Sequence, residues 1–288
     1  MRPYFSSPFL LLFFYACSSP NGKTATTDTT NKSVQSSLTD SSVPAAGSSP
    51  VQTATERAAI DSRIRKESTL SHEQADMTIP LYGLEKVQAA IGKLVPVDDT
   101  SGSGDNFSIA LKDPIYSSFS LDEKFTYNLI HAEDYSQMCD ILPERTDEVR
   151  RIYGQLRNLF GEYNWSDRQR AFFSDHKDSV EQLMKVVIDQ RGSVGMNFLD
   201  VIVFINAREM IPNLIEAYHK NNSNHYILTT LMLLMKDNKY PEFIQSSSYK
   251  KLYKQDADTY SLFLDYNNAN EDLIIKRATN FFNGTSQQ

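Results

Sequence analysis

Apolar positions recur at helical spacing along most of this chain. Leu84, Val87, Ala90, Ile91 and Leu94 share one face and predict a helix that Pro96 ends. Phe125, Leu129, Ile130, Tyr135 and Met138 predict another, running from Ser120 toward Leu142 and ended by Pro143. The most regular stripe is Val149, Ile152, Tyr153, Leu156, Leu159, Phe160 and Tyr163, with Arg150, Arg151, Arg157 and Glu162 mostly on the opposite face. Read as a helix that buries Leu156, this stripe implies a cost of about 2–5 kcal/mol for Leu156→Ala. Phe172, Phe173, Val180, Leu183, Met184, Val187 and Ile188 continue the pattern, with Gly192 placed as a C-terminal stop.

Phe198-Leu-Asp-Val-Ile-Val-Phe-Ile205 is a continuous apolar run with β-branched residues, which fits a buried strand as well as a core helix. Helix is favoured because no partner strand is visible elsewhere and the pattern continues through Ala207, Met210 and Ile211 to Pro212. Pro212 suits the first turn of a short helix to Lys220, and Tyr226 to Met235 reads as a second core helix, too short to span a bilayer. Phe243, Tyr249, Leu252 and Tyr253, then Tyr260, Leu262, Phe263 and Leu264, and last Leu273, Ile274, Ala278, Phe281 and Phe282 predict that the chain ends in helices. Capping-box spacing occurs at Thr53 to Glu56, Ser71 to Gln74, Ser120 to Glu123 and Ser166 to Gln169. The expected fold class is therefore all-α. A helical pair is expected over 53–96, an irregular link over 97–118 where Asp98, Asp99, Asp105 and a Ser-Gly repeat cluster, and a multi-helix bundle over 119–284.

The N-terminus follows a different pattern. Arg2 precedes an apolar run from Phe9 to Ala16 that stops at Cys17, the layout of a secretory signal peptide. With Ala16 before the cysteine it resembles the lipobox of bacterial lipoproteins, which implies that Cys17 is acylated and becomes the mature N-terminus. Phe14 and Tyr15 depart from the common pattern, as spirochaete lipoproteins tolerate. The competing reading is an ordinary signal peptide or an uncleaved anchor with an incidental cysteine. Ser18 to Gln52 is Ser/Thr-rich with Val34, Leu38 and Val43 as its only large aliphatics, and reads as a disordered tether with a reach of about 30 Å.

A formal charge of -7 and a pI near 5.3 provide no basic field for nucleic acid, so none is expected as a partner. Acylation of Cys17 would leave Cys139 unpaired, most simply as a small buried residue. His72-Glu73-Gln74-Ala75-Asp76 has Asp76 where a zinc-protease helix needs a second histidine, and reads as a solvated helix start. His131, Glu133 and Asp134 fall at a predicted helix end where polar residues are ordinary. His219 and His225 flank a polar turn and could approach a metal together, but solvent-facing positions are the simpler reading. The acidic link lacks the ligand spacing of a calcium loop. No catalytic, metal or cofactor residues are assigned. Trp165, at the junction of two predicted helices, is the one large side chain singled out for a partner surface, with burial as the alternative.

The loose lipobox, the long polar tether and a helical body containing Asp113-Pro-Ile-Tyr-Ser-Ser-Phe-Ser-Leu-Asp-Glu-Lys-Phe125 and Arg151-Ile-Tyr-Gly-Gln-Leu156 resemble the plasmid-encoded helical surface lipoproteins of relapsing-fever Borrelia. The resemblance covers about half the chain, and those families are usually richer in lysine. It implies display on the outer membrane and contact with host proteins, and the tether, the acidic helical body and the missing catalytic constellation favour a non-enzymatic role. The alternative is a periplasm-facing lipoprotein that binds a small ligand or carries an unrecognised enzyme site.

Overall fold

The computed structural model describes residues 77–94, 97–98, 106–137, 143, 145, 147–221, 223–253 and 259–285. Cys17, the 18–52 tether, the boxes at Thr53 and Ser71, the His72 to Asp76 stretch, Asp99, Asp105 and Cys139 lie outside these residues. The elements, in chain order, are α1 (Leu84–Ile91), β1 (Val97–Asp98), β2 (Asn106–Ser108), α2 (Asp113–Ser117), α3 (Leu121–Ile130), β3 (Asp134–Ser136), β4 (Arg151–Tyr153) and β5 (Tyr163–Asn164). They continue with α4 (Asp167–Asp175), α5 (Lys177–Arg191), α6 (Met196–Phe204), α7 (Ile211–Lys220), α8 (Tyr226–Asp237), α9 (Pro241–Ile244), α10 (Ser247–Leu252), β6 (Phe263–Asp265) and α11 (Asn268–Thr285). Helices dominate, as the periodicity predicts, and all described residues belong to one unit spanning Gln52–Gln288.

The core is built around α8. Every residue from Tyr226 to Met235 is buried, because this helix is surrounded by α6, α7, α9, α11 and β4. A helix covered on all sides needs an apolar residue or a satisfied hydroxyl at each position, and the sequence supplies both. Thr229 and Thr230 are the two hydroxyls: Thr229 donates to Tyr153 O at 2.9 Å, and Thr230 to Tyr226 O at 2.9 Å. A smaller cluster of Val87, Leu111, Phe119 and Tyr127 seats α1 against α3.

Local signals place several boundaries. Ser120 and Ser166 each form a reciprocal capping box, with Glu123 and Gln169 respectively, and Gly192 ends α5 in the left-handed conformation at φ 66°. The Phe198 run is helical. Its start is pinned by Asn197, whose side chain accepts from Thr78 N at 2.9 Å and donates to Thr78 O at 2.8 Å and Leu129 O at 3.1 Å. Gly195 permits this docking, since a Cβ there would lie 2.2 Å from Thr78 N. Among the described residues no helix is long and apolar enough to cross a membrane.

Four expectations are corrected. Residues 97–118 are not an irregular link throughout: β1 and β2 pair antiparallel, and β2 pairs with β3, Phe107 opposite Tyr135, in a sheet ordered β1-β2-β3-β5. The helix from Ser120 ends at Ile130 rather than near Leu142, because His131 is extended and Asp134–Ser136 enters that sheet. The 149–163 stripe is not a helix. After a 3₁₀ turn at Glu148–Arg150, Arg151–Tyr153 forms β4 against β6, with Ile152 opposite Leu264, and 154–162 is irregular. The same pairing makes Phe263–Asp265 a strand within the helical C-terminal region.

Candidate functional site

The irregular segment 154–162 is tied down by one cation. The Arg145 guanidinium donates to the carbonyls of Gln155 (3.0 Å), Leu156 (3.4 Å) and Tyr260 (3.0 Å), so these acceptors are satisfied without a helix. The same guanidinium stacks against Tyr153 and Tyr260, 4.4 and 4.0 Å from the ring centroids. Farther along, Asn158 donates to Gly161 O and Tyr163 N to Phe160 O, closing a turn that carries Phe160 outward from β4.

This segment and the residues that follow it form one wall of a cleft of about 400 Å³, in which Leu156, Phe160, Tyr163 and Trp165 supply apolar and aromatic surface. Asn158 and Asn164 add polar rims. The opposite wall comes from two helices with matching spacing: Asp200, Val203 and Phe204 from α6, and Leu233, Lys236 and Asp237 from α8. Positions i, i+3 and i+4 fall on one helical face, so each helix presents all three of its residues to the same space.

Trp165 is fixed rather than free. Its Nε1 donates to Asn128 O at 3.0 Å, and its ring packs on Phe173, Phe204 and Phe160 at centroid distances of 4.9, 5.8 and 6.3 Å. It is half-buried, so it serves the core and the cleft wall together. Phe204, on the other side, is 41% exposed. Asp200 lies one turn before Phe204 and is less exposed. No hydrogen bond or ion pair reaches it from the described residues, and burial alone pushes its carboxyl up to about 7. Lys236 does not compensate it, because its ammonium is 3.0 Å from Asp237 and also faces the Tyr253 ring.

A second polar cluster has the opposite character. Glu133 is 1% exposed, and its carboxylate accepts from Tyr127 Oη (2.7 Å), Ser166 Oγ and Arg168 Nε (2.9 Å). Arg168 also donates to Leu111 O at 2.6 Å and pairs with Asp113 at 3.0 Å. His131 donates through Nε2 to Ile109 O at 2.6 Å, and burial lowers its pKa, which favours the neutral ring. These groups bind the 109–113 segment and the start of α4 to the end of α3. Their acceptors and donors are turned on one another, as a buried network requires.

The expectation that His131, Glu133 and Asp134 are ordinary helix-end polar residues is therefore corrected: Glu133 is the centre of a buried latch. His225 is corrected as well. It is 5% exposed and stacks on Tyr266 at 3.8 Å, whereas His219 is exposed at the end of α7. Among the described residues, no group of three His, Cys, Asp or Glu is placed to hold a metal ion. Asp200 is the residue that sequence reasoning missed, although a signal existed in the single carboxylate inside the Phe198 to Ile205 apolar run.

Comparison with family models, with curated proteins and with solved structures gives no match to this chain.

Proposed function

We propose that this chain is a lipid-anchored bacterial surface protein whose helical body acts by contact with a partner protein and not by catalysis. Cys17 carries the anchor, and the cleft lined by Trp165 and Phe204 is the contact site. The observation that carries the reading is the contrast between the two polar clusters. Glu133, Tyr127, His131 and Arg168 are consumed by internal hydrogen bonds, whereas at the open recess Asp200 has no polar partner among the described residues and Phe204 keeps much of its ring exposed. Clustered aromatic side chains that include a tryptophan are what interface hot spots are enriched in, and an unpaired carboxyl beside them leaves a polar group for a partner to satisfy. The Borrelia-like features of the sequence support host proteins as the partner and the outer membrane as the location.

The test uses the full chain displayed on intact cells, with a photo-crosslinking residue at position 204 or, as a control outside the cleft, at Val186, which is also exposed. The expected result is a crosslink to one identified serum or matrix protein from position 204 and none from 186. Equal labelling from both positions, or from neither, contradicts contact through the cleft. Cys17→Ala should in parallel release the chain from the membrane fraction or block its processing, and a variant that stays anchored and processed removes the lipoprotein part of the proposal.

A further inference from the structure

The same cleft has a charge and a shape that specify more than a generic contact. Its charged groups are Asp200 on α6 and the Lys236 and Asp237 pair on α8, with the Tyr163 phenol on β5 as the remaining titratable group. Because Lys236 and Asp237 neutralise each other, the Asp200 carboxyl is the one uncompensated ionisable acid among the cleft's lining residues. Trp165, Phe160 and Phe204 stand edge to face, Trp165 at 6.3 Å from the first and 5.8 Å from the second, and supply apolar surface to the same cleft that Asp200 lines. A group that matches this arrangement has an apolar stem and a compact cationic head.

On the contact reading above, we infer that the cleft receives a lysine side chain of the partner protein, its methylene stem along Trp165 and Phe204 and its ammonium on the Asp200 carboxylate. Aromatic faces attract an ammonium through the ring quadrupole, and a desolvated carboxylate attracts it through direct charge. A single free carboxylate walled by rings suits the point charge of lysine better than the broad planar fork of arginine, which is best held by several acceptors at once. The ammonium meets only the ionised form of Asp200, so binding strengthens as the pH rises through about 7.

Trp165 is the chain's single tryptophan, which makes its fluorescence a reporter located at the cleft. The full chain is titrated with Nα-acetyl-lysine amide, which mimics a partner lysine, and with Nα-acetyl-norleucine amide, which keeps the stem and lacks the charge. The expected result is a saturable change with the lysine mimic, weakened about tenfold or more with the norleucine mimic, in Asp200→Asn, and at a pH well below the Asp200 titration. Asp200→Asn removes a partly buried, unpaired carboxyl, so thermal melting should show it to be at least as stable as the parent, and lost binding then cannot be ascribed to unfolding. Equal binding of the two mimics, or undiminished binding by Asp200→Asn, overturns the lysine assignment while leaving the crosslink at 204 to stand or fall separately. A failed crosslink with intact lysine-mimic binding overturns the partner-protein reading instead.

Discussion

Residues 149–163 and 196–204 both carry strong apolar patterns, and only the second folds as its pattern is read. The first has the most regular helical stripe in the chain and becomes a strand followed by an irregular segment. The second fits a buried strand as well as a core helix, and is the helix that its continuation toward Pro212 favours. Long-range partners account for both outcomes. Arg151–Tyr153 finds β6, and Gly154 lets the two backbones approach: its N donates to Leu262 O at 2.9 Å, and a Cβ there would lie 3.2 Å from Thr259 O. Met196–Phe204 has no strand neighbour among the described residues, and Asn197 and Gly195 dock its first turn on Thr78. Helical periodicity states which residues are to be buried, and tertiary pairing decides the conformation that buries them. Because 154–162 stays out of a helix, Leu156 and Phe160 are free to wall the cleft.

The largest effect is expected in the helical region. Phe198 is fully buried and packs edge to face on Phe125 at 5.9 Å, so Phe198→Ala should lower stability by about 3–5 kcal/mol in chemical denaturation. A loss below about 1 kcal/mol would mean that α6 is not a core element. Next is Arg145, which holds the irregular segment. Arg145→Met leaves the carbonyls of Gln155, Leu156 and Tyr260 without their donor, at a cost of about 2–4 kcal/mol. Hydrogen exchange should quicken over 150–164 and spare 196–204, and uniform quickening would show that the two segments do not depend on separate anchors.

Asp200→Asn should act in the stabilising direction. Folding raises the Asp200 carboxyl from 3.8 to about 7, so the folded state holds this proton more tightly than the unfolded chain. Stability therefore falls as the pH rises between these two values, and the cost is fully present above the higher one. Asparagine removes that cost, with a gain of about 1–3 kcal/mol at pH near 8 that vanishes near pH 4, read from melting curves at both conditions. Destabilisation at the higher pH would show that the carboxylate is paired. The smallest effect belongs to Leu156. A fully buried helical position would cost about 2–5 kcal/mol on truncation, but Leu156 is half-buried on the cleft wall, and Leu156→Ala should cost only about 1 kcal/mol by the same denaturation measurement.

What is decided within a few residues was legible in the sequence. Ser120 and Ser166 announce α3 and α4 because a capping box satisfies its donors locally, and Tyr226 to Met235 announces the core helix because nearly every position is apolar. The two sheets were not legible, since strands of two or three residues leave almost no alternation to read. Of the candidate site, Trp165 was visible as a large side chain at an element junction. The cleft around it was hidden because it depends on Arg145 gathering carbonyls from Gln155, Leu156 and Tyr260. Glu133 was misjudged because Arg168 and Tyr127 lie on separate helices and nothing local marks their convergence.

The proposed role of the cleft rests on Asp200 being a desolvated, unpaired carboxylate that a cation can meet. The decisive experiment follows the Asp200 carboxyl carbon by NMR across a pH titration of the full chain, alone and with saturating Nα-acetyl-lysine amide. The expected midpoint is near 7 for the protein alone and clearly lower when the lysine mimic is bound, because an ammonium binds the ionised form. A midpoint in the ordinary carboxylate range without ligand, or one that the lysine mimic leaves in place, would contradict it.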